Sequence, residues 1–202
     1  TDLVFIDPVG TGYSRAVVGE ADKQFHTFTK DIHSVGDFIR LFCTRHLRWK
    51  SPKYLIGESY GTLRAAALSE YLQDRHGMYL NGIMLVSSIL NFGTARFDAH
   101  HDLPHILFLP TYTATAWYHR ALAPDLQADL RAAVDAARAF AGGEYASALM
   151  AGASLSDAER AQIAAKLARF TGLSADYCER ADLRIEIFRF CKELLRAQGR
   201  TV

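Results

Sequence analysis

This sequence of 202 residues has almost no excess of charge of either sign and no long apolar run. Lys and Arg together number 23 against 22 for Asp and Glu, and no stretch is strongly basic. The charge pattern therefore gives no indication of binding to nucleic acid or to an anionic membrane surface. No apolar stretch approaches the roughly 18 residues that a membrane-spanning helix needs, so we expect no membrane span.

Cysteine is also scarce. Cys43, Cys178 and Cys191 show no Cys-x-x-Cys spacing, which excludes a disulfide-stapled scaffold and a zinc-ribbon pattern. Cys43 and Cys191 lie on apolar faces of predicted helices, where a thiol behaves as a small buried hydrophobic group. An odd number of cysteines leaves at least one thiol unpaired within the chain, and the redox compartment stays open.

Half of the residues are hydrophobic (50%) and 22% are charged, a composition typical of a globular protein with a buried core. The first part of the chain, residues 1–91, alternates strand and helix patterns. Strands are predicted at residues 3–7, 53–57 and 83–86, and helices at residues 27–46 and 60–74. This alternation predicts an α/β fold with a parallel sheet and right-handed crossovers.

The second part, residues 92–202, predicts a mostly helical structure. Residues 103–118 are apolar and aromatic but are interrupted by Pro104 and Pro110. We expect the aromatic side chains of this segment to pack in a core, with the lining of an apolar substrate pocket as the alternative.

Three further patterns in the second part predict helices. One apolar stripe runs through an Ala-rich region at Leu126, Leu130, Val134 and Ala137. Ser156 and Glu159 form a capping-box pattern ahead of a helix that we expect to end near Gly172. A last helix is predicted to run to Gly199.

Residues 57–61 read Gly-Glu-Ser-Tyr-Gly, the G-x-S-x-G pattern, between a predicted strand and a predicted helix. In that context the pattern is typical of a nucleophile elbow, a sharp turn that holds a serine in a strained backbone; the alternative is a serine in an ordinary turn. Gly57 and Gly61 have no side chain that would obstruct the sharp turn. The turn presents the Ser59 hydroxyl at the carboxyl edge of the sheet. The backbone N–H of Tyr60, at the helix N-terminus, is the predicted oxyanion donor.

Together with other segments, this motif resembles the serine carboxypeptidase family of the α/β-hydrolase superfamily. In the first part the resemblance is carried by residues 57–61, by Asp-Pro-Val-Gly-Thr-Gly-Tyr-Ser at residues 7–14 and by Asn-Gly at residues 81–82. The bacterial branch is indicated by Asp-Leu-Pro at 102–104, Leu-Pro-Thr-Tyr at 109–112 and Trp-Tyr-His at 117–119. The resemblance implies a partial α/β-hydrolase core at residues 1–91, followed by a helical lid insertion at residues 92–202.

The resemblance also implies an activity and site residues. It implies hydrolysis of peptides from the C-terminus through an acyl-enzyme on Ser59, with Tyr60 as oxyanion donor and with no cofactor or metal. Glu58 and Gly57 are implied to bind the peptide substrate, Glu58 through the substrate's terminal carboxylate, and residues 7–14 to shape the wall of the site. Gly61 and Thr62 stand where the common eukaryotic form has Ala and Gly, which puts binding of the typical substrates in question.

We expect the sequence to be a piece of a longer protein, because in this superfamily the catalytic Asp and His follow the insertion. No residue of the sequence is matched to either, so we expect the piece to be inactive alone. A sheet of three strands leaves edges unpaired, so we also expect marginal stability or self-association. The resemblance implies that the full-length protein is secreted or periplasmic.

The histidines that follow Ser59 in the sequence offer two other site interpretations. By residue type, either a base for Ser59 or a zinc site could be built from a group of histidines with acidic neighbours. The group consists of His100, His101, His105 and His119, with Asp98 and Asp102 nearby. Pro104 disfavours a regular helix through His101 and His105, so an exposed polar loop is the expectation. Residues 10–12 do not continue into G-x-G-x-x-G, which excludes a dinucleotide-binding loop.

Two alternatives to a carboxypeptidase stay open at this stage. An esterase or acyltransferase on the same scaffold is one, because a fold does not determine a reaction. A non-catalytic truncated remnant that only binds is the other.

Glu58→Gln provides a test of the implied carboxylate recognition. Two adjacent carboxylates must share a proton, because both ionise together only at a large electrostatic cost. We therefore expect KM for a peptide substrate of the full-length protein to rise toward neutral pH, and the substitution to flatten that rise. Steady-state kinetics across pH measures it, and an unchanged pH profile contradicts the assignment.

Overall fold

The computed structural model describes residues 2–202, and the chain divides into two compact units, Thr1–Asn91 and Phe92–Val202. Helices make up 59% of the chain, and the first unit contains a two-stranded parallel sheet. The fold is therefore of the broad α/β class. Within the described residues, no helix is both long and apolar enough to cross a membrane.

The first unit follows the predicted alternation from its first helix onward. Its elements, in chain order, are α1 (Phe28–Arg45), β1 (Tyr54–Glu58), α2 (Tyr60–His76) and β2 (Gly82–Val86). The two strands pair in parallel with Leu55 opposite Ile83. These four elements confirm the predicted ones with small differences at their ends.

One side of the first unit's sheet is covered by its helices. Ile32 and Val35 of α1 and Leu68 and Leu72 of α2 are buried in one cluster, and Leu55 of β1 packs against them. The alternate side chains of β1 are open to solvent: Tyr54 is 60% exposed and Ile56 66%. The first unit thus buries the α1–α2 interface and leaves a row of β1 side chains uncovered.

The predicted strand at residues 3–7 is wrong. Leu3 and Phe5 are 76% and 91% exposed, and in the described part of the chain no backbone hydrogen bond joins residues 3–7 to a strand. An apolar run supplies strand propensity, but a strand forms only when a neighbouring strand satisfies its N–H and C=O groups.

The second unit is helical throughout its regular structure, as predicted. Its α-helices are α3 (Leu103–Tyr118), α4 (Pro124–Gln127), α5 (Leu130–Phe140), α6 (Ala146–Ala151), α7 (Asp157–Thr171), α8 (Ala175–Arg180) and α9 (Ile187–Glu193). A π-helical turn, Ala141–Tyr145, joins α5 to α6. The predicted capping box is confirmed: the Ser156 hydroxyl accepts from the Glu159 N–H, and the Glu159 carboxylate accepts from the Ser156 N–H. Gly172 ends α7 in the left-handed conformation.

Two details of the second unit differ from the prediction. Residues 103–118 form one helix despite both prolines. Pro104 lies in the first turn, where a backbone N–H would have no carbonyl partner within the helix. Pro110 removes one backbone hydrogen bond, and packing of the helix outweighs that loss. The predicted apolar stripe is confirmed at Leu126 and Ala137, which are buried, and wrong at Leu130, which is exposed, and Val134, which is half-buried. The Asp129 carboxylate caps a new helix, and Ala133 and Phe140 complete the buried face of α5 with Ala137.

Ser156→Ala is expected to destabilise the second unit by about 1 kcal/mol, because it removes the side-chain acceptor for an N–H of the first turn of α7. Ser154→Ala is the matched control, since Ser154 is exposed and lies just before the cap. Thermal or urea unfolding of both variants measures the difference. Equal unfolding free energies for the two variants would contradict a stabilising cap.

Candidate functional site

Ser59 lies at the turn between the end of β1 and the start of α2. Its backbone has φ 52° and ψ −120°, and its N–H donates to the carbonyl oxygen of Val86 at 3.0 Å. The residue is exposed. The strand-to-helix turn therefore holds the Ser59 backbone in a strained conformation at the carboxyl edge of the parallel sheet and leaves the residue open to solvent.

The Ser59 conformation is one that glycine adopts more easily. Gly152, at the end of α6, has nearly the same backbone angles, φ 53° and ψ −121°. A non-glycine residue in such a region costs on the order of 1–3 kcal/mol. Positive φ alone does not identify a site, because Leu47 and Arg120 also have it at turns. Ser87, directly after β2 at the same sheet edge, has positive φ as well (50°), so the strain points to Ser59 only together with the G-x-S-x-G motif.

Gly57 is the residue that makes the turn sterically feasible. A Cβ added to Gly57 would overlap the carbonyl oxygen and carbon of Gly61. A Cβ added to Gly61 would meet no described atom within 4 Å. The requirement for a missing side chain, which the sequence pattern assigned to both glycines, therefore holds for Gly57 and not for Gly61.

Tyr60 opens α2, where the helix dipole favours negative charge. Its hydroxyl donates to Oδ2 of Asp31 in α1 at 3.2 Å, and the guanidinium carbon of Arg64 lies 5.1 Å from the centre of its ring. Burial and the neighbouring Asp31 charge raise the pKa of Tyr60, so the phenol remains protonated and donates. The first turn of α2 is thus held by its side chains as well as by its backbone.

Thr62 connects the elbow to the segment that follows β2. Its buried hydroxyl donates to the Ser59 carbonyl at 2.6 Å and accepts from the Ile89 N–H at 2.9 Å. Thr62 therefore links the Ser59 turn to the segment after β2 at the same edge of the sheet.

The Ser59 hydroxyl itself makes no hydrogen bond to any of residues 2–202. Glu58 is exposed, and within the same described range its side chain forms neither an ion pair nor a hydrogen bond. A serine hydroxyl without a base is a weak nucleophile. The arrangement therefore presents a serine, an N-terminal helix turn and a free carboxylate, and it does not bring a general base to the serine.

Two of the histidines that residue type offered as a base or as zinc ligands, His101 and His105, contact backbone carbonyls instead. Nδ1 of His105 lies 3.2 Å from the Ile185 carbonyl, and Nε2 of His101 contacts the Gly93 carbonyl. His105 lies inside α3 and is buried, so the expected exposed loop is wrong at this residue, and burial lowers its pKa. Across residues 2–202, no group of three His, Cys, Asp or Glu side chains is placed to hold a metal ion.

Residues 7–14 form a tight turn that is stabilised from within. The Asp7 carboxylate accepts from the Tyr13 N–H at 3.0 Å, and a Cβ at Gly12 would overlap that carboxylate. The Arg15 guanidinium donates to the carbonyls of Gly12 and Ser14 at 2.9 and 2.7 Å. No hydrogen bond in the described chain joins this turn to Ser59, so its role in the wall of the site stays a prediction.

Two shallow surface depressions lie away from the elbow. One, of about 540 Å³, is lined by His33, Asp37, Tyr71, Asp74 and Arg75, and the other lies on α5 around Val134. Neither lining includes residues 57–62. The candidate site is thus identified by backbone strain and chemistry, because concavity points elsewhere.

Sequence reasoning alone missed Asp31 and Arg64 at this site. Asp31 lies 29 residues before its partner Tyr60, and Arg64 lies 33 residues after its partner Asp31. The signal present in the sequence was an acidic residue, Asp31, among the regularly spaced apolar residues of the first predicted helix. That signal does not indicate which cation would face it.

The chain matches no protein-family profile, no curated protein and no solved structure.

Gly57→Ala is expected to destabilise the first unit by about 3 kcal/mol, because the new methyl group must displace the backbone of α2 at Gly61. Gly61→Ala, the matched control, is expected to be neutral or stabilising by up to about 1 kcal/mol, since alanine favours helix and the position is open. Chemical unfolding of both variants measures this. Equal losses would contradict the proposed steric role of Gly57.

Proposed function

We propose that Ser59 is the acylated nucleophile of a serine hydrolase of the carboxypeptidase type, which releases single residues from peptide C-termini. The observation that carries this proposal is the strained Ser59 backbone, φ 52° and ψ −120°, between a parallel strand and the helix after it. That conformation, in a G-x-S-x-G context, is what a nucleophile elbow requires. The resemblance of residues 7–14 and 57–61 supplies the carboxypeptidase part of the proposal.

The proposed reaction proceeds by acyl transfer. The Ser59 oxygen attacks the carbonyl carbon of the last peptide bond, and the oxygen of that carbonyl becomes an oxyanion facing the Tyr60 N–H and the α2 N-terminus. A histidine removes the serine proton and returns it to the departing amine. Water then hydrolyses the acyl-Ser59 ester. Because no residue of the chain is matched to that histidine, this chain contributes the nucleophile-bearing part of the proposed enzyme.

Glu58 is proposed to recognise the substrate's terminal carboxylate. Support comes from its position directly before Ser59 and from its exposed side chain, which no other described group engages. A carboxylate that already had an ion-pair partner would be less available to share a proton with a ligand. The proposed role therefore fits a site that works best where one of the two carboxyls is protonated.

The proposal is tested on the full-length protein that carries this sequence. An N-blocked dipeptide and a simple acyl ester are offered separately, and release of the C-terminal amino acid from the dipeptide and of the alcohol from the ester is measured. We expect peptide turnover, and a loss of about 10⁴-fold or more in Ser59→Ala. Ester turnover without peptide turnover would replace the carboxypeptidase by an esterase, and no Ser59-dependent turnover of either would overturn the proposal.

Ser59→Gly gives an independent check on why a serine occupies the strained position. It should abolish turnover and yet stabilise the fold by about 1 kcal/mol, because relief of strain exceeds the added freedom of glycine in the unfolded chain. Unfolding free energies of the parent, Ser59→Gly and Ser59→Ala measure this. A destabilised Ser59→Gly would show that the turn does not hold serine under strain.

A further inference from the structure

Asp31, in the first turn of α1, is a buried carboxylate that the proposed reaction does not use. The residue is 6% exposed. Its Oδ2 accepts from Nε of Arg64 at 2.8 Å and from the hydroxyl of Tyr60 at 3.2 Å. Both donors belong to α2, so one oxygen of α1 receives two side chains from the helix that carries the proposed oxyanion donor.

The charge of Asp31 is compensated at its site. Burying an unpaired carboxylate is strongly unfavourable, but here Arg64 supplies the opposite charge and Tyr60 a second hydrogen bond. The position in the first turn of α1 adds the favourable end of that helix dipole. Arg64 also offsets a negative charge that would otherwise oppose an oxyanion at the nearby start of α2.

A stabilising role alone does not account for this arrangement. Buried ion pairs contribute little net stability, since well-packed apolar side chains often do as well in their place. What Asp31 provides is geometry. Tyr60 and Arg64 are four residues apart on one face of α2, so their convergence on one oxygen restrains how the first turn of α2 is rotated against α1.

That rotation matters for the residue that follows the nucleophile. Displacement of a catalytic group by about 1 Å can reduce a rate by about a hundredfold. The Tyr60 hydroxyl is hydrogen-bonded to Asp31, and the backbone N–H that is the proposed oxyanion donor also belongs to Tyr60. The orientation of the N–H is therefore coupled to the position of the Asp31 carboxylate.

We propose that Asp31 is a positioning residue for the oxyanion donor, acting through the Tyr60 hydroxyl with Arg64 as its counter-ion. This inference rests on the proposed function, because it assigns a role relative to an oxyanion formed at Ser59. Asp31 touches no reacting atom. Its effect is expected on the transition state and not on substrate binding.

The test uses Asp31→Asn in the full-length protein, with an N-blocked dipeptide as substrate and a peptide boronic acid as tetrahedral inhibitor. Asparagine loses the charge that holds Arg64 and offers the Tyr60 hydroxyl only a neutral, weaker acceptor. We expect kcat to fall about tenfold with KM within about twofold of the parent, and boronate affinity to fall in parallel with kcat/KM. Asp31→Asn combined with Tyr60→Phe should lose no more than the greater of the two single losses, because both act through one hydrogen bond.

Asp37→Asn is the matched control. Asp37 lies on the same helix, and its half-exposed carboxylate is 3.1 Å from Nε2 of His76, a contact that does not involve the elbow. The control should keep the kcat of the parent, and thermal unfolding of each variant shows whether it is folded at the assay temperature. If Asp31→Asn does not fold, Tyr60→Phe carries the same expectation, since it removes only the hydroxyl.

The outcomes separate this inference from the proposed function. Turnover that is abolished in Ser59→Ala but unchanged in both Asp31→Asn and Tyr60→Phe overturns the positioning role and leaves the proposed function standing. A change in KM alone, or losses that multiply in the double variant, also overturns it. Turnover that does not depend on Ser59 overturns the proposed function and this inference with it.

Discussion

The close approach of Gly57 to the Gly61 carbonyl is the constraint on which the strand-to-helix turn of the first unit depends. A β-strand and an α-helix are joined there by a single residue, Ser59, and the helix backbone passes through the space that a side chain at Gly57 would fill. With any other residue at that position, α2 would have to start elsewhere. The missing methyl group therefore determines both where the helix begins and which residue is held at the sheet edge.

Strain and support are combined at this turn. The Ser59 backbone is unfavourable by itself, and the surrounding structure must stabilise it. The Ser59 N–H continues the strand ladder to Val86, Thr62 links the Ser59 carbonyl to Ile89, and Asp31 anchors the side chain of Tyr60. A strained residue persists only where its surroundings determine its conformation in this way.

Predictions from local pattern succeeded where the forces are local. The Ser156–Glu159 capping box and the left-handed Gly172 at the end of α7 involve neighbouring residues only, so their sequence signals are sufficient. The strand predicted at residues 3–7 failed because a strand depends on a partner that its own residues do not provide. Asp129 was missed as a helix cap because the apolar spacing on either side of it continues without a break.

The sequence by itself determined the elbow, because a glycine, a serine and the change from strand to helix pattern are all contained in residues 57–61. Tertiary structure alone decided which buried charge restrains that elbow, since Asp31 and Arg64 meet only after α1 packs on α2. It also distinguished Gly57 from Gly61, which are equivalent in the motif. The physical reason is that conformational preference is carried by neighbouring residues, whereas steric overlap and ion pairing depend on distances that only the packed chain defines.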